Sequence, residues 1–453
     1  MSTAIESQAE VIKIARSLGL APEALGYLLE VDSEDLARLR EQVSQAMFAG
    51  SAERFTLIAA ASRVIPVSVA ATIAQRALGP LLGAQMAGLL DPARAVRLAG
   101  RLQPEFLADV AMHLDPARAA AVISELPADL VGEVATVLAG RGDFVTMGRF
   151  VSYLEPGVIS ATFSRIPDAA MLQSAFVMEG KDRLDAIVAL LPPDRIPRLM
   201  AAARADELWA EVLSLIGYLT PDTQSRLADM AAEDPATLAG LTDAAERLNA
   251  WDAVLPIVPR MNPANQARTA SLTARVSDAS LRRILATVNR RDLWGLFVPM
   301  VATSMDQAGR SRVASVLATE PAAVIDALAD AVVAQNLWAD LLRIAADMRE
   351  AELQAIADRL LGTALEPRLR AMLDAAAAND LWGEGLALLA RLSPELRRRL
   401  VPIVAAVDPD TARTVLARAD SLGLGAGLGP IGESLRQAAA RQAAGPPPFT
   451  SSL

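Results

Sequence analysis

The five tryptophans of the chain, Trp209, Trp251, Trp294, Trp338 and Trp382, recur at intervals of 42, 43, 44 and 44 residues. A fixed period in this range marks supersecondary units that cannot bury their own apolar faces and must stack on neighbours, which is how solenoids are built. Counting from each tryptophan, apolar residues follow at +3, +4 and +7: Val212, Leu213 and Ile216; Val254, Leu255 and Val258; Phe297, Val298 and Val301; Leu341, Leu342 and Ala345. In the last unit Gly385 takes the +3 place, with Leu386 and Leu389 after it. This spacing predicts a helix whose inner face carries the indole. A second helix is expected to open at Thr220-Pro221, Asn262-Pro263 and Ser393-Pro394, where the first residue can cap and proline can take the first helical position. A third is expected at Asp234-Pro235, Glu320-Pro321, Glu366-Pro367 and Asp408-Pro409, and at Asp278-Ala279 in the second unit.

At 453 residues the chain exceeds what one core usually organises, and the repeat points to an array. Hydrophobic residues make up 53% and aromatics only 4%, so alanine and aliphatic residues supply the apolar content and favour short helices. Mean hydropathy is +0.30, yet the longest apolar stretch, Val64 to Leu90, is interrupted by Pro66, Arg76, Gly79 and Pro80, and no transmembrane span is expected. The opening residues hold two glutamates and no basic segment ahead of an apolar run, which predicts a cytoplasmic protein without a secretory signal.

Absence of cysteine rules out disulfides, thiolate metal sites and thiol catalysis. With His113 as the single histidine, multi-histidine metal sites are excluded, and its apolar flanks Met112 and Leu114 predict a structural role. A net charge of -10 opposes nucleic acid as the main partner. Only Lys13 and Lys181 are lysine among 43 basic residues, a bias expected of a GC-rich genome.

Upstream of the tryptophans the period shortens. LDPARA occurs at Leu90 to Ala95 and again at Leu114 to Ala119, an offset of 24 that fits a two-helix hairpin. The stretch LLDPARAVRLAGRL, followed by LQPEFLADVAMHLDPARAAAVISELPADLVGEVATVL, resembles the cytosolic N domain of MgtE-type magnesium channels over about residues 78–200. That resemblance implies a right-handed superhelix of short helices. In that family paired CBS modules and a pore follow, and neither is recognisable here, so no metal ligand carries over. The tryptophan units, with three helices each, are similar to HEAT and armadillo repeats.

The expectation is therefore an all-α, right-handed α-solenoid with two repeat types. Residues 1–77 would form a helical cap, 78–200 hairpins of about 24 residues, 201–420 five units of about 43 residues, and 421–453 a glycine-rich break, a terminal helix and a disordered tail. The segment Leu18 to Val43 has the outline of a helix-turn-helix, but Glu34, Asp35 and Glu41 would repel phosphates, and capping helices are expected instead. Gly423, Gly425, Gly427 and Gly429 lack the strand and the Lys-Ser/Thr of a phosphate loop.

No catalytic, cofactor or metal constellation is readable. Residues 251–320 reverse the sign of the chain, with nine arginines against five acids, a net of +4. Arg260, Arg275, Arg282, Arg283, Arg290 and Arg291 are the candidate contacts for an acidic partner, a phosphate-bearing ligand or an anionic membrane surface. Arg226, Arg268, Arg312 and Arg399 recur on the second helix and are expected to brace a neighbouring unit's helix ends. The expected function is a non-enzymatic scaffold binding a protein partner. Two alternatives are a superhelix that encloses a lipid-like ligand and a magnesium-responsive regulator.

Overall fold

Most helices among the described residues have 13 residues or fewer, a length at which an isolated helix is marginal in water. Each depends on its neighbours. The computed structural model describes residues 2–49, 64–273, 276–362 and 365–441, and among these it contains 29 α-helices and no strand. The protein is all-α, with helices packed in sequential order as in a solenoid. The chain divides into two compact units, Met1–Ala253 and Val254–Leu453, so the division falls inside the tryptophan series.

In the first unit, helices pack on the next but one. Gly79–Ala87 lies on Pro104–His113, which lies on Ala128–Gly140, which in turn lies on Pro156–Thr162. A parallel line runs from Phe144–Val151 through Asp168–Phe176 to Arg195–Ala205. Between them sits an apolar core that includes Ala119, Ile123, Leu154, Ile159 and Phe163. His113 stands exposed at the last position of its helix rather than in an apolar hairpin interior, because its neighbours Ala111 and Met112 turn inward in its place.

In the second unit the interval is three helices. Trp294–Ser304 packs on Trp338–Ala345, which packs on Trp382–Ala390; Gln307–Ala318 packs on Glu350–Gly362, and Asp278–Arg290 on Ala322–Ala334. These helices meet their own counterparts one unit on.

The expected caps Thr220, Asp234, Asn262, Ser393 and Asp408 all accept hydrogen bonds from the first backbone N–H groups of their helices. Thr237 and Thr411 hydroxyls bond the Asp234 and Asp408 carboxylates and hold both below the ordinary aspartate range. Three expected starts move, and Glu366-Pro367 lie inside the first turn of Leu365–Ala378 rather than opening it. Ser277, not Asp278, caps the helix Asp278–Arg290, and Pro321 replaces Glu320 ahead of Ala322–Ala334. The helix expected from Trp251 ends after one turn at Val254, because Pro256 and Pro259 lack the N–H groups that would continue it.

The sequence reading missed the turn in front of each tryptophan. Glu207, Asn249, Asp292, Asn336 and Asp380, each two residues before an indole, have φ of 56°, 48°, 50°, 54° and 53°. They are the non-glycine residues in the left-handed region among the described residues. The following N–H reaches back five residues, Leu208 to Ala203 and Ala250 to Ala245, Leu293 to Val288, Leu337 to Val332 and Leu381 to Ala376, at 2.8–2.9 Å. This is the Schellman closure of a helix C-terminus, which satisfies a carbonyl left over by the last turn. The same bond closes at Gly142, with Phe144 in the place of the indole.

The N-terminal segment was expected to cap the end of the stack. Instead Ser2–Leu18, with the 3-10 turn Pro22–Leu28 and the helix Ser33–Ala49, forms a small core of Val11, Ile14, Ala15, Leu25 and Leu36. It lies laterally, with Ala9 against Phe176 and Val177. Residues 50–63 of the expected cap and the expected tail, Gly445 to Leu453, lie outside the described residues. The terminal helix runs Pro430–Ala440.

Because a left-handed glutamate is strained by roughly 1–2 kcal/mol while glycine is not, Glu207→Gly is expected to stabilise the protein by about 0.5–1 kcal/mol after the entropy of the unfolded glycine is deducted. Urea unfolding with an unchanged slope checks it. Gly148 lets the helix Phe144–Val151 touch the next, for a methyl there would overlap the Ser174 carbonyl and come 3.1 Å from the Met178 nitrogen. Gly148→Ala should cost about 1–3 kcal/mol, read as a lower unfolding midpoint.

Candidate functional site

The helix Asp278–Arg290 separates cleanly into two faces. Leu281, Ile284, Leu285 and Val288 are fully buried, and Arg282, Arg283, Ala286 and Arg290 are exposed on the other side. Ser277 holds one end through the Ser280 N–H, and Arg290 and Arg291 sit at the negative end of the helix dipole. The arginines are not idle. Arg282 lies 3.8 Å from Glu320, whose carboxyl burial pushes up while Arg282 pulls it down. Arg290 donates to the Thr287 hydroxyl at 3.3 Å. Arg260 is exposed at the end of the short 3-10 turn Val258–Arg260, and Arg275 lies outside the described residues.

Two arginines of the same basic stretch serve the fold. Arg310 bonds Asp347 at 2.5 Å and the Met305 carbonyl at 2.6 Å, and Arg312 donates to the Val276 carbonyl and to Asp278 at 2.9 Å. Arg268, expected to brace a neighbouring unit, donates instead to Asn265 of its own helix at 2.8 Å, whereas Arg312 braces the start of a helix one unit earlier. In the first unit Arg195 does likewise, donating to the carbonyls of Phe163 at 2.8 Å and Ile166 at 2.5 Å. Its Nε lies 2.6 Å from Asp168, without the alignment of a hydrogen bond.

The indoles belong to the interior. Trp209, Trp251, Trp294 and Trp338 are buried; Trp382 is only partly so. The Trp209 ring lies against Gly240, where a methyl would come within 3.0 Å of it. Trp294 meets Phe297 edge to face, with centroids 6.3 Å apart. Trp251 donates its N–H to Glu246 at 3.1 Å, whereas the N–H groups of Trp294 and Trp338 have no partner among the described residues. An apolar cavity of about 20 Å³ beside Trp294, lined by Val298, Val313, Leu328, Leu341 and Met348, has room for a water-sized body and not for a lipid chain. Among the described residues no group of three or more acidic or histidine side chains could hold a metal, and no helix is long and apolar enough to cross a membrane.

A second cluster was not anticipated. The N-terminal helix carries Glu6, Glu10 and Lys13 against the first unit's flank. Tyr218 donates to Glu6 at 2.6 Å, Lys13 to Glu10 at 2.5 Å, and Arg40 joins Glu10 at 3.2 Å to Glu179 at 2.9 Å. Arg16 pairs with Asp143. Lys181 lies over the rings of Tyr218 and Phe176, 4.9 and 5.6 Å from their centroids. Burial pushes the Tyr218 hydroxyl well above its ordinary range, helped by its bond to Glu6. Burial, then the charge of Lys13, lowers the Lys181 ammonium to about 8, against the opposing pull of Glu6 and Glu10. The one sequence signal for this site was the scarcity of lysine.

No family model matches the chain, and neither a curated protein nor a solved structure is similar to it.

A base whose folded pKa lies below its unfolded value destabilises the fold fully below the lower pKa and ceases to do so as pH rises through the window between them. For Lys181 that window runs from about 8 to 10.5. Lys181→Met is expected to be more stable than the wild type at neutral pH, and the difference should shrink as pH climbs through that window. Parallel urea titrations across the range check both the sign and the convergence.

Proposed function

We propose that the protein is a non-catalytic helical-repeat scaffold that receives an acidic protein partner on the exposed face of the helix Asp278–Arg290. The observation that carries this reading is the two-sided character of that helix. Its inner residues Leu281, Ile284, Leu285 and Val288 anchor it rigidly, and its outer residues Arg282, Arg283 and Arg290 stand in solvent with Arg291 beside them. A guanidinium has five donors, so an arginine engaged within the protein can still offer planar recognition to a carboxylate. The local net of +4 within a chain of -10 concentrates a positive field there and would steer acidic partners to this face. Arg260 extends the same chemistry along the chain.

Capture from native lysate by the wild type and by an Arg282→Glu, Arg283→Glu, Arg290→Glu variant tests the proposal. The partner should be retained by the wild type, released by raised salt, and bound at least about tenfold more weakly by the variant. The circular dichroism of the variant should match the wild type because its buried face is untouched, and its melting point should fall by only a few degrees, since reversing the charges beside Glu320 and at the negative end of the helix costs about 1 kcal/mol each. Undiminished capture by the folded variant would overturn the assignment of this face.

A further inference from the structure

The longest apolar stretch of the chain, residues 64–90, holds a single charged side chain, Arg76. It forms the helices Val67–Ile73 and Gly79–Ala87 with the π turn Ala74–Leu78 between them, and Gly79, at a φ of 76°, breaks the line, so no part of it is long enough to cross a bilayer. An ordinary surface helix turns its apolar residues inward. Here the large ones point outward. Val69, Ile73 and Arg76 fall at i, i+4 and i+7 on one exposed line, flanked by Val64 at 87% exposure and Leu81 at 55%, while the small Ala71 and Ala84 are buried. Among the described residues beyond 81, exposed large apolar side chains occur only singly, as at Leu190 and Leu422. The helix Pro92–Ala99 packs on Val67–Ile73, and Arg94 ties it to that segment by donating to the Ile65 carbonyl at 2.6 Å. Arg97 and Arg101 follow, both exposed, and with Arg76 they have no ion pair or hydrogen bond among the described residues. Over residues 64–101 four arginines stand against Asp91, a net of +3 within a chain of -10.

We propose that residues 64–101 dock on an anionic lipid surface, with Val64, Val69, Ile73 and Leu81 entering the headgroup boundary and Arg76, Arg97 and Arg101 meeting the lipid anions. Outward aliphatic side chains beside arginines are the composition of an interfacial helix, whose affinity sums buried apolar area and attraction to anionic headgroups. Arginine suits the boundary because its aliphatic stem lies along the apolar layer while the guanidinium reaches the phosphates. The overall charge of the chain does not oppose this contact, since the Debye length at physiological salt is about 8 Å and only charges near the surface act. An acidic protein would engage the arginines and leave the aliphatic side chains in water, whereas a bilayer takes both. The other exposed apolar cluster, from Leu18 to Leu39, stands among Glu23, Glu30, Asp32, Glu34 and Asp35, and an anionic surface would repel it. The docking segment shares no residue with the helix Asp278–Arg290, so the two readings stand or fall separately.

Flotation of the full chain with phosphatidylcholine vesicles, with and without about 30% phosphatidylserine, tests this. The wild type should rise with the anionic vesicles, stay behind with the neutral ones, and be released as salt is raised. Arg76→Gln, Arg97→Gln and Arg101→Gln should each weaken binding about fivefold. Val69→Ser, Ile73→Ser and Leu81→Ser together should weaken it at least about tenfold with unchanged circular dichroism, because these side chains already stand in water. The chain has no cysteine, so a bimane label can be placed at one position. On Ile73→Cys its emission should shift to the blue with anionic vesicles, and on Leu422→Cys, exposed in the other unit, it should not. No flotation with anionic vesicles, undiminished flotation of the folded serine variant, or an unshifted label at position 73 would overturn the proposal.

Discussion

The joint between one helix and the next indole is the constraint on which the tryptophan units rest. A helix must stop abruptly and the chain must reverse, so that a large ring at the first turn of the following helix folds back into the stack. One left-handed residue does this, and the N–H after it closes on a carbonyl five residues earlier. The residues at those carbonyls, Ala203, Ala245, Val288, Val332 and Ala376, are all buried, so the closure bond is kept from competing water. Side chains rather than glycine occupy the strained position, and the strain is tolerated because indole burial repays it at most of the joints. Trp382, only partly covered, is the exception.

Stacked helices leave carbonyls at their ends, and arginine reaches across a unit to meet them. Arg195, Arg312 and Arg183 each bond backbone oxygens roughly one unit upstream. A guanidinium suits this task because its donors diverge from a planar fork, where an ammonium would offer a single point of charge. The arginine content expected to reflect genome composition is thus partly structural. The same property explains how the helix Asp278–Arg290 can keep intramolecular bonds on its arginines and still present a positive surface.

The N-terminal helices attach by another logic. Their contact with the flank holds only a small apolar patch, Ala9 with Phe176 and Val177, and is otherwise a network of Glu6, Glu10, Arg40, Glu179 and Tyr218. Charged networks at partly buried sites contribute little net stability but respond strongly to the removal of any one member. Such an attachment is easier to adjust than the alanine and leucine contacts of the array, and Lys181 sits within it at a cost to the fold.

Periodicity and cap chemistry are local properties, and the sequence by itself determined what they govern: the all-α class, the five indole positions, and helix starts at Thr220, Asp234, Asn262, Ser393 and Asp408. The left-handed turns were also written there, in Asn or Asp two residues before four of the tryptophans, though the pattern is plain only once the backbone is seen. Tertiary structure alone decided the rest. The repulsion of Lys181 by Lys13, the reach of Glu6 to Tyr218, and the lateral seat of the first helix join residues that share no spacing or motif. Which of many exposed arginines would brace a carbonyl and which would face solvent was likewise set by where the neighbouring unit came to lie, because burial and charge act through space and not along the chain.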